Sequence, residues 1–74
     1  MTRIYYTAVD NGDGSLGVVF FESQECINLL EDNYPEYYRG EGGGYFDVEG
    51  SFDKHIISIR EVKADIYEYN TNDK

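Results

Sequence analysis

The 74 residues carry 15 acidic and 6 basic side chains, a formal net charge of −9 with His55 neutral, and a pI near 4.2. A chain of this length is a single domain, 1–74, that hides only ~60% of its unfolded surface on folding, which excludes multi-domain enzymes and folds built from several βαβ units. With 41% hydrophobic residues, eight Tyr and four Phe, it is no disordered acidic tail, because such segments are poor in aromatic and β-branched residues.

In chain order, Arg3 to Asp10 alternates with period two and reads as a strand. Asn11-Gly12-Asp13-Gly14-Ser15 supplies residues that tolerate positive φ, and Leu16 to Glu22 resumes the alternation. The pair predicts a hairpin. Ser23 stands at an N-cap position with Gln24 and Glu25 in the first turn, and Cys26, Ile27, Leu30 and Tyr34 form one helical stripe. Pro35 ends that helix near Asn33.

Glu36 to Gly44 reads as a loop, with Gly40-Glu41-Gly42-Gly43-Gly44 its most mobile stretch. Tyr45 to Glu49 predicts a third strand, Gly50-Ser51 a turn and Phe52 an anchor. His55 to Asn70 reads as mostly extended, either one bent strand or two meeting near Val62-Lys63, and residues 71–74 as a frayed tail. The expected fold is α+β: a small antiparallel sheet with one short helix, in ββαββ order with room for an extra C-terminal strand. The expected core is Ile4, Tyr6, Ala8, Val18, Phe20, Cys26, Ile27, Leu30, Phe46, Val48, Ile57 and Ile59. So small a core makes a homodimer through an exposed strand edge a reasonable expectation.

Cys26 is alone, so no intramolecular disulfide forms, and a reducing compartment is the natural reading. No apolar run approaches the ~20 residues that cross a bilayer, and no secretory h-region opens the chain. The expectation is a cytoplasmic protein with no membrane partner, because negative charge opposes anionic lipid surfaces.

Asp10-Asn11-Gly12-Asp13-Gly14-Ser15 has the look of a calcium loop. With Gly14 as the sixth position, however, the first is Val9 and the twelfth Phe20, so two ligands fail and a plain hairpin turn is the better reading. The glycine-dense stretch lacks the lysine and following helix of a phosphate cradle. One His and one Cys without close ligand spacing predict neither a metal site nor a nucleophilic pair, and no cofactor is expected. Paired carboxylate catalysis needs a concave pocket that a chain this short rarely builds, so no enzyme is expected.

Six scattered basic residues cannot neutralise a phosphate backbone, which excludes direct nucleic-acid binding. The opposite role is more coherent: acidic residues alternating along a strand lie ~6.6 Å apart, a spacing broadly like that of phosphates. Glu36, Glu41, Asp47, Glu49, Asp65 and Glu68 are the expected charges, and Tyr37, Tyr38 and Tyr67 the contact area, for a basic and nucleic-acid-binding host protein. Two other readings stand beside this one. One is a homo-oligomeric sponge for a nucleotide or similar metabolite, with Tyr rings stacking the base and Arg39 or Arg60 meeting phosphate. The other is a minor structural or assembly factor.

Val9-Asp10-Asn11-Gly12-Asp13-Gly14-Ser15, then Val19-Phe20-Phe21-Glu22-Ser23 opening a helix, then Val48-Glu49-Gly50-Ser51-Phe52 together resemble small acidic proteins encoded by tailed bacteriophages, over about Ile4 to Phe52. The shared motifs are turn and cap chemistry. The resemblance implies a phage origin, and some such proteins inhibit host defence or nucleic-acid enzymes, several as DNA mimics.

Overall fold

The computed structural model describes residues 1–38 and 42–72. The chain is α+β, and its opening ββα follows the sequence expectation: β1 spans Thr2–Asp10, β2 Leu16–Phe21 and α1 Gln24–Asn33. β1 and β2 pair antiparallel, with Tyr5 opposite Phe21 and Asp10 opposite Leu16. Gly12 and Gly14, at φ of 88° and 91°, make the turn that other residues would strain. Asp10 accepts a hydrogen bond from the Gly12 N–H at 2.8 Å, and Asp13 accepts from the Ser15 N–H at 3.0 Å. The carboxylates that suggested calcium therefore organise the hairpin turn itself.

α1 ends as Pro35 requires, with the Tyr34 N–H donating to the Leu30 carbonyl at 2.7 Å. Its start differs in chemistry from expectation. Ser23 occupies the N-cap position in extended backbone, but its hydroxyl makes no cap bond and lies 3.4 Å from Cys26 Sγ instead.

β3 spans Gly44–Val48 and pairs antiparallel with the first half of β1. β4 is only Ile56–Ile57 and runs parallel to β2, giving the order β3-β1-β2-β4. The sheet is thus mixed, where a wholly antiparallel one was expected. The larger correction is at the C-terminus. The segment expected to be extended is a helix, α2, over Ile59–Asn72.

The reason is visible at its start. Ser58-Ile59-Arg60-Glu61 is the S-x-x-E pattern of a capping box, and the Ser58 hydroxyl accepts the Glu61 N–H at 3.2 Å. Glu22, from the end of β2, accepts the Ile59 N–H at 2.8 Å. Ile59, Val62 and Ile66 then fall on one helical face, against the core, whereas the alternation of Ala64, Ile66 and Glu68 was incidental. Replacing Ser58 by Ala removes a working cap and is expected to cost about 1 kcal/mol, a fall in Tm of about 4–8 °C. Ser23→Ala, which removes no cap bond, is expected to leave the melting curve nearly unchanged. Thermal denaturation of the two variants side by side checks both.

Strand alternation puts two different sets of side chains on the two faces of the sheet. Both helices cover the face of Tyr5, Thr7, Val19 and Phe21, and the core is Phe21, Cys26, Ile27, Leu30 and Val62. The expected core had included Ala8, Val18 and Phe20. Val18 is instead 57% exposed, and Phe20 lies on the helix-free face with Tyr6, Phe46 and Phe52. Phe52 anchors its loop there as expected, its ring 5.1 Å from Phe20 and 5.7 Å from Phe46. Ile4 is fully buried. No helix among the described residues is long and apolar enough to cross a membrane.

Candidate functional site: a tyrosine and aspartate groove

Immediately after α1, the chain turns through Tyr34, Pro35, Glu36, Tyr37 and Tyr38, with Tyr37 and Tyr38 N–H groups both donating to the Tyr34 carbonyl at 3.0 Å. The turn is fastened to β1 by the Asp10 N–H donating to the Tyr37 carbonyl at 3.2 Å and by a bridge between Val9 and Tyr38. α2 closes the other side, its Tyr69 ring packed edge-on against Tyr34 at 5.1 Å. Between these elements lies an open groove of about 360 Å³, lined by Val9, Asp10, Leu30, Tyr34, Tyr37, Tyr38 and Asp65.

Three tyrosines and the Asp65 carboxylate thus converge, while Asp10 lines the groove with its carboxylate engaged by the Gly12 N–H of the hairpin turn. Burial pushes the Tyr34 phenol above its ordinary value near 10, with smaller contributions from Tyr69 and Asp65. Burial likewise raises Tyr38, and here the charge of Asp65 is the second cause. A raised folded value means that these phenols support the fold fully below the ordinary phenol pKa and cease to do so as pH rises through the raised one. An alkaline titration followed by tyrosinate absorbance is expected to show a late-titrating class. Asp65→Asn is expected to bring that class partway down, Tyr38 more than Tyr34.

The expected binding residues are only partly gathered here. Tyr37, Tyr38 and Asp65 line the groove, Glu36 is exposed on the turn between them, and Glu68 is exposed one helical step beyond Asp65. At 100° per residue, Glu61, Asp65 and Glu68 share one flank of α2, while Arg60, Lys63 and Tyr67 share another. Tyr67 is 72% exposed on that second flank. The strand spacing expected of Asp65, Tyr67 and Tyr69 does not exist, because the segment is helical.

Asp47 and Glu49 belong to a different region. Asp47 sits opposite Arg3, ~20 Å along β1 from Val9 at ~3.3 Å per residue, and its carboxylate is held by that guanidinium at 3.0 and 3.4 Å. The Arg3 hydrogen bond lowers the Asp47 pKa, and Arg3 also stacks 4.3 Å over the Tyr45 ring. Its charge is therefore compensated within the chain. Glu41 and Arg39 lie outside the described residues.

Sequence reasoning missed Tyr34 as a groove residue, assigning it to the helix stripe, and missed Asp10, assigning it to the turn. The signal for Tyr34 was its place beside Pro35, at the end of the helix stripe, where its ring packs against the core from one side and borders the groove on the other. Elsewhere, Cys26 is buried and packs as a small hydrophobe. His55 is exposed with Nε2 3.0 Å from Glu61. A second cleft, of about 170 Å³, lies between β1 and α1, lined by Thr7, Gln24, Glu31 and Gly43 among others. Among the described residues no group of three or more His, Cys, Asp or Glu could hold a metal ion. Comparison with protein-family models, curated proteins and solved structures finds no match to this chain.

Proposed function

We propose that this protein is a non-enzymatic binder whose groove receives arginine side chains from a basic, nucleic-acid-binding surface of a host protein. The observation that carries the reading is the convergence of Tyr34, Tyr37 and Tyr38 with Asp65 around one groove. A guanidinium stacks on aromatic faces and donates in a planar fork to carboxylates, so this lining suits arginine better than the compact, strongly hydrated lysine ammonium. The exposed Glu36 and Glu68 beside it, within a chain of net charge −9, would steer such a partner in quickly. By covering the partner's basic surface the protein competes with nucleic acid, which is the action of a phage-type inhibitor in the host cytoplasm. The mimicry rests on the groove and the acidic flank of α2 rather than on a strand ladder.

A nucleotide sponge has less support. The described lining residues include no cation to meet a phosphate, and Arg60 falls on the other flank of α2. Titration calorimetry with an arginine-rich peptide, a lysine-rich peptide of equal charge and a free nucleotide tests the reading. The expected order is arginine above lysine, with binding that weakens steeply between ~0.1 and ~1 M salt. Equal binding at both salt concentrations, or a preference for the nucleotide, overturns it. Affinity capture from host lysate with mass spectrometry then identifies the partner.

A further inference from the structure

The helix-free face of the sheet departs from the usual pattern for an antiparallel sheet with one wet side, where the outward positions are polar. Here the outward positions include Leu16, Val18, Phe20, Phe46, Val48 and Ile56, and up to the turn at Asp10 no charged strand residue interrupts them. Leu16 is 74% and Val18 57% exposed. Phe20, Phe46 and Phe52 form a ring cluster with centroid separations of 5.1 to 6.1 Å, yet each of the three remains partly exposed. Nothing in the groove's chemistry uses this face.

We propose that it is a self-association surface, on which a second copy of the chain stacks sheet against sheet. Two features select a second copy over another partner. The first is charge: in a chain of net charge −9 the strand positions of this face hold no acidic residue short of Asp10, and the side chains beside Val18 and Phe20 at its edge are Lys54 and His55 rather than carboxylates. A basic partner would be drawn instead to the acidic, helical side. The second is area. A sheet four strands wide and about five residues long spans roughly 300 Å² in plan. That is the size at which an apolar patch marks an interaction site. Side-chain relief raises the accessible area above the plan value, so two such faces together approach the ~1,000 Å² that a specific interface clears. An interface at that small end belongs to the weak, reversible class of association. Stacking would bury the Phe20, Phe46 and Phe52 rings in a two-sheet core and place the helices of both protomers outside, so that the two grooves face outward.

Sedimentation velocity of the full chain from ~1 to ~200 µM tests this. The expected result is a monomer–dimer equilibrium that strengthens between ~0.1 and ~1 M salt, because salt screens the repulsion between protomers without weakening an apolar contact. This is the opposite sign to the salt dependence expected of the groove, so the two readings fail separately. Val18→Glu is expected to shift the chain to monomer by tenfold or more in dissociation constant, with an unchanged far-UV circular dichroism spectrum. Leu16→Glu, at the more exposed position, is the companion variant and is expected to do the same. A chain that stays monomeric throughout, a dimer that weakens with salt, or a dimer that survives both substitutions overturns the proposal.

Discussion

Phe21→Ala is expected to lower the unfolding free energy by about 3–5 kcal/mol, a large share of the total. The Phe21 ring is fully buried, clustered with Cys26, Ile27, Leu30 and Val62, and edge-on to Tyr38 at 6.4 Å. Truncation therefore opens a cavity where sheet and both helices meet, and rigid neighbours on three sides collapse into it poorly. A domain of this size has ~4–11 kcal/mol in total, at ~0.05–0.15 kcal/mol per residue. Phe20→Ala is the comparison that gives the number meaning. Phe20 lies one residue away but on the opposite face, partly exposed against Phe46 and Phe52, and its truncation is expected to cost about 1–2 kcal/mol, since half-solvated side chains lose less transfer free energy. Urea denaturation at low micromolar protein, where self-association is weak, measures both. If Phe20→Ala proves the costlier, the helices are on the wrong face of the sheet.

Asp65→Lys is expected to weaken binding of an arginine-rich peptide by tenfold or more, about 1.4 kcal/mol. The substitution replaces attraction by repulsion within the groove and leaves the fold intact, because Asp65 is exposed on α2. Asp65→Asn, which removes the charge and keeps the shape, is expected to lie between wild type and Lys. The control is Asp47→Asn. Asp47 carries the same formal charge but spends it on Arg3, ~20 Å along the sheet from Val9, so its loss is expected to leave peptide affinity within about twofold, or ~0.4 kcal/mol. Isothermal titration calorimetry of the three variants at one salt concentration decides the matter. Equal losses for Asp65 and Asp47 would mean that net charge alone attracts the peptide and that the groove has no special part.

The first half of the fold was legible because its signals are local. Period-two alternation, the turn chemistry of Asp10 to Ser15, and the stop at Pro35 each act within a few residues, and hairpin and helix stand where those residues place them. The C-terminal segment was misread because Ile56 to Tyr69 supports two periods at once. Its β-branched residues favour a strand by propensity. The capping box at Ser58 and the stripe of Ile59, Val62 and Ile66 favour a helix, and the helix buries Val62 against the core. The S-x-x-E pattern was the available clue.

The candidate site was legible in type but only partly in place. Tyr37, Tyr38 and Asp65 could be named from composition and charge, yet their meeting depends on α2 lying beside the Tyr34 turn. Asp47 looked equivalent to Asp65 until its register with Arg3 became visible.

The amino-acid sequence by itself determined the charge, the class of elements in the first half, and the short supply of cysteine, histidine and basic residues. All of these follow from counts or from interactions between near neighbours in the chain. Only the tertiary structure decided which face of the hairpin became the core, because either alternate set could have served: Ile4, Tyr6 and Phe20 are as apolar as Tyr5, Val19 and Phe21. Two helices packed on the second set, and the first was left with Phe52 as its partial cover. The acidity of the chain is therefore divided unevenly. Much of it lies on the helical side and around the groove, while the opposite sheet face carries almost none.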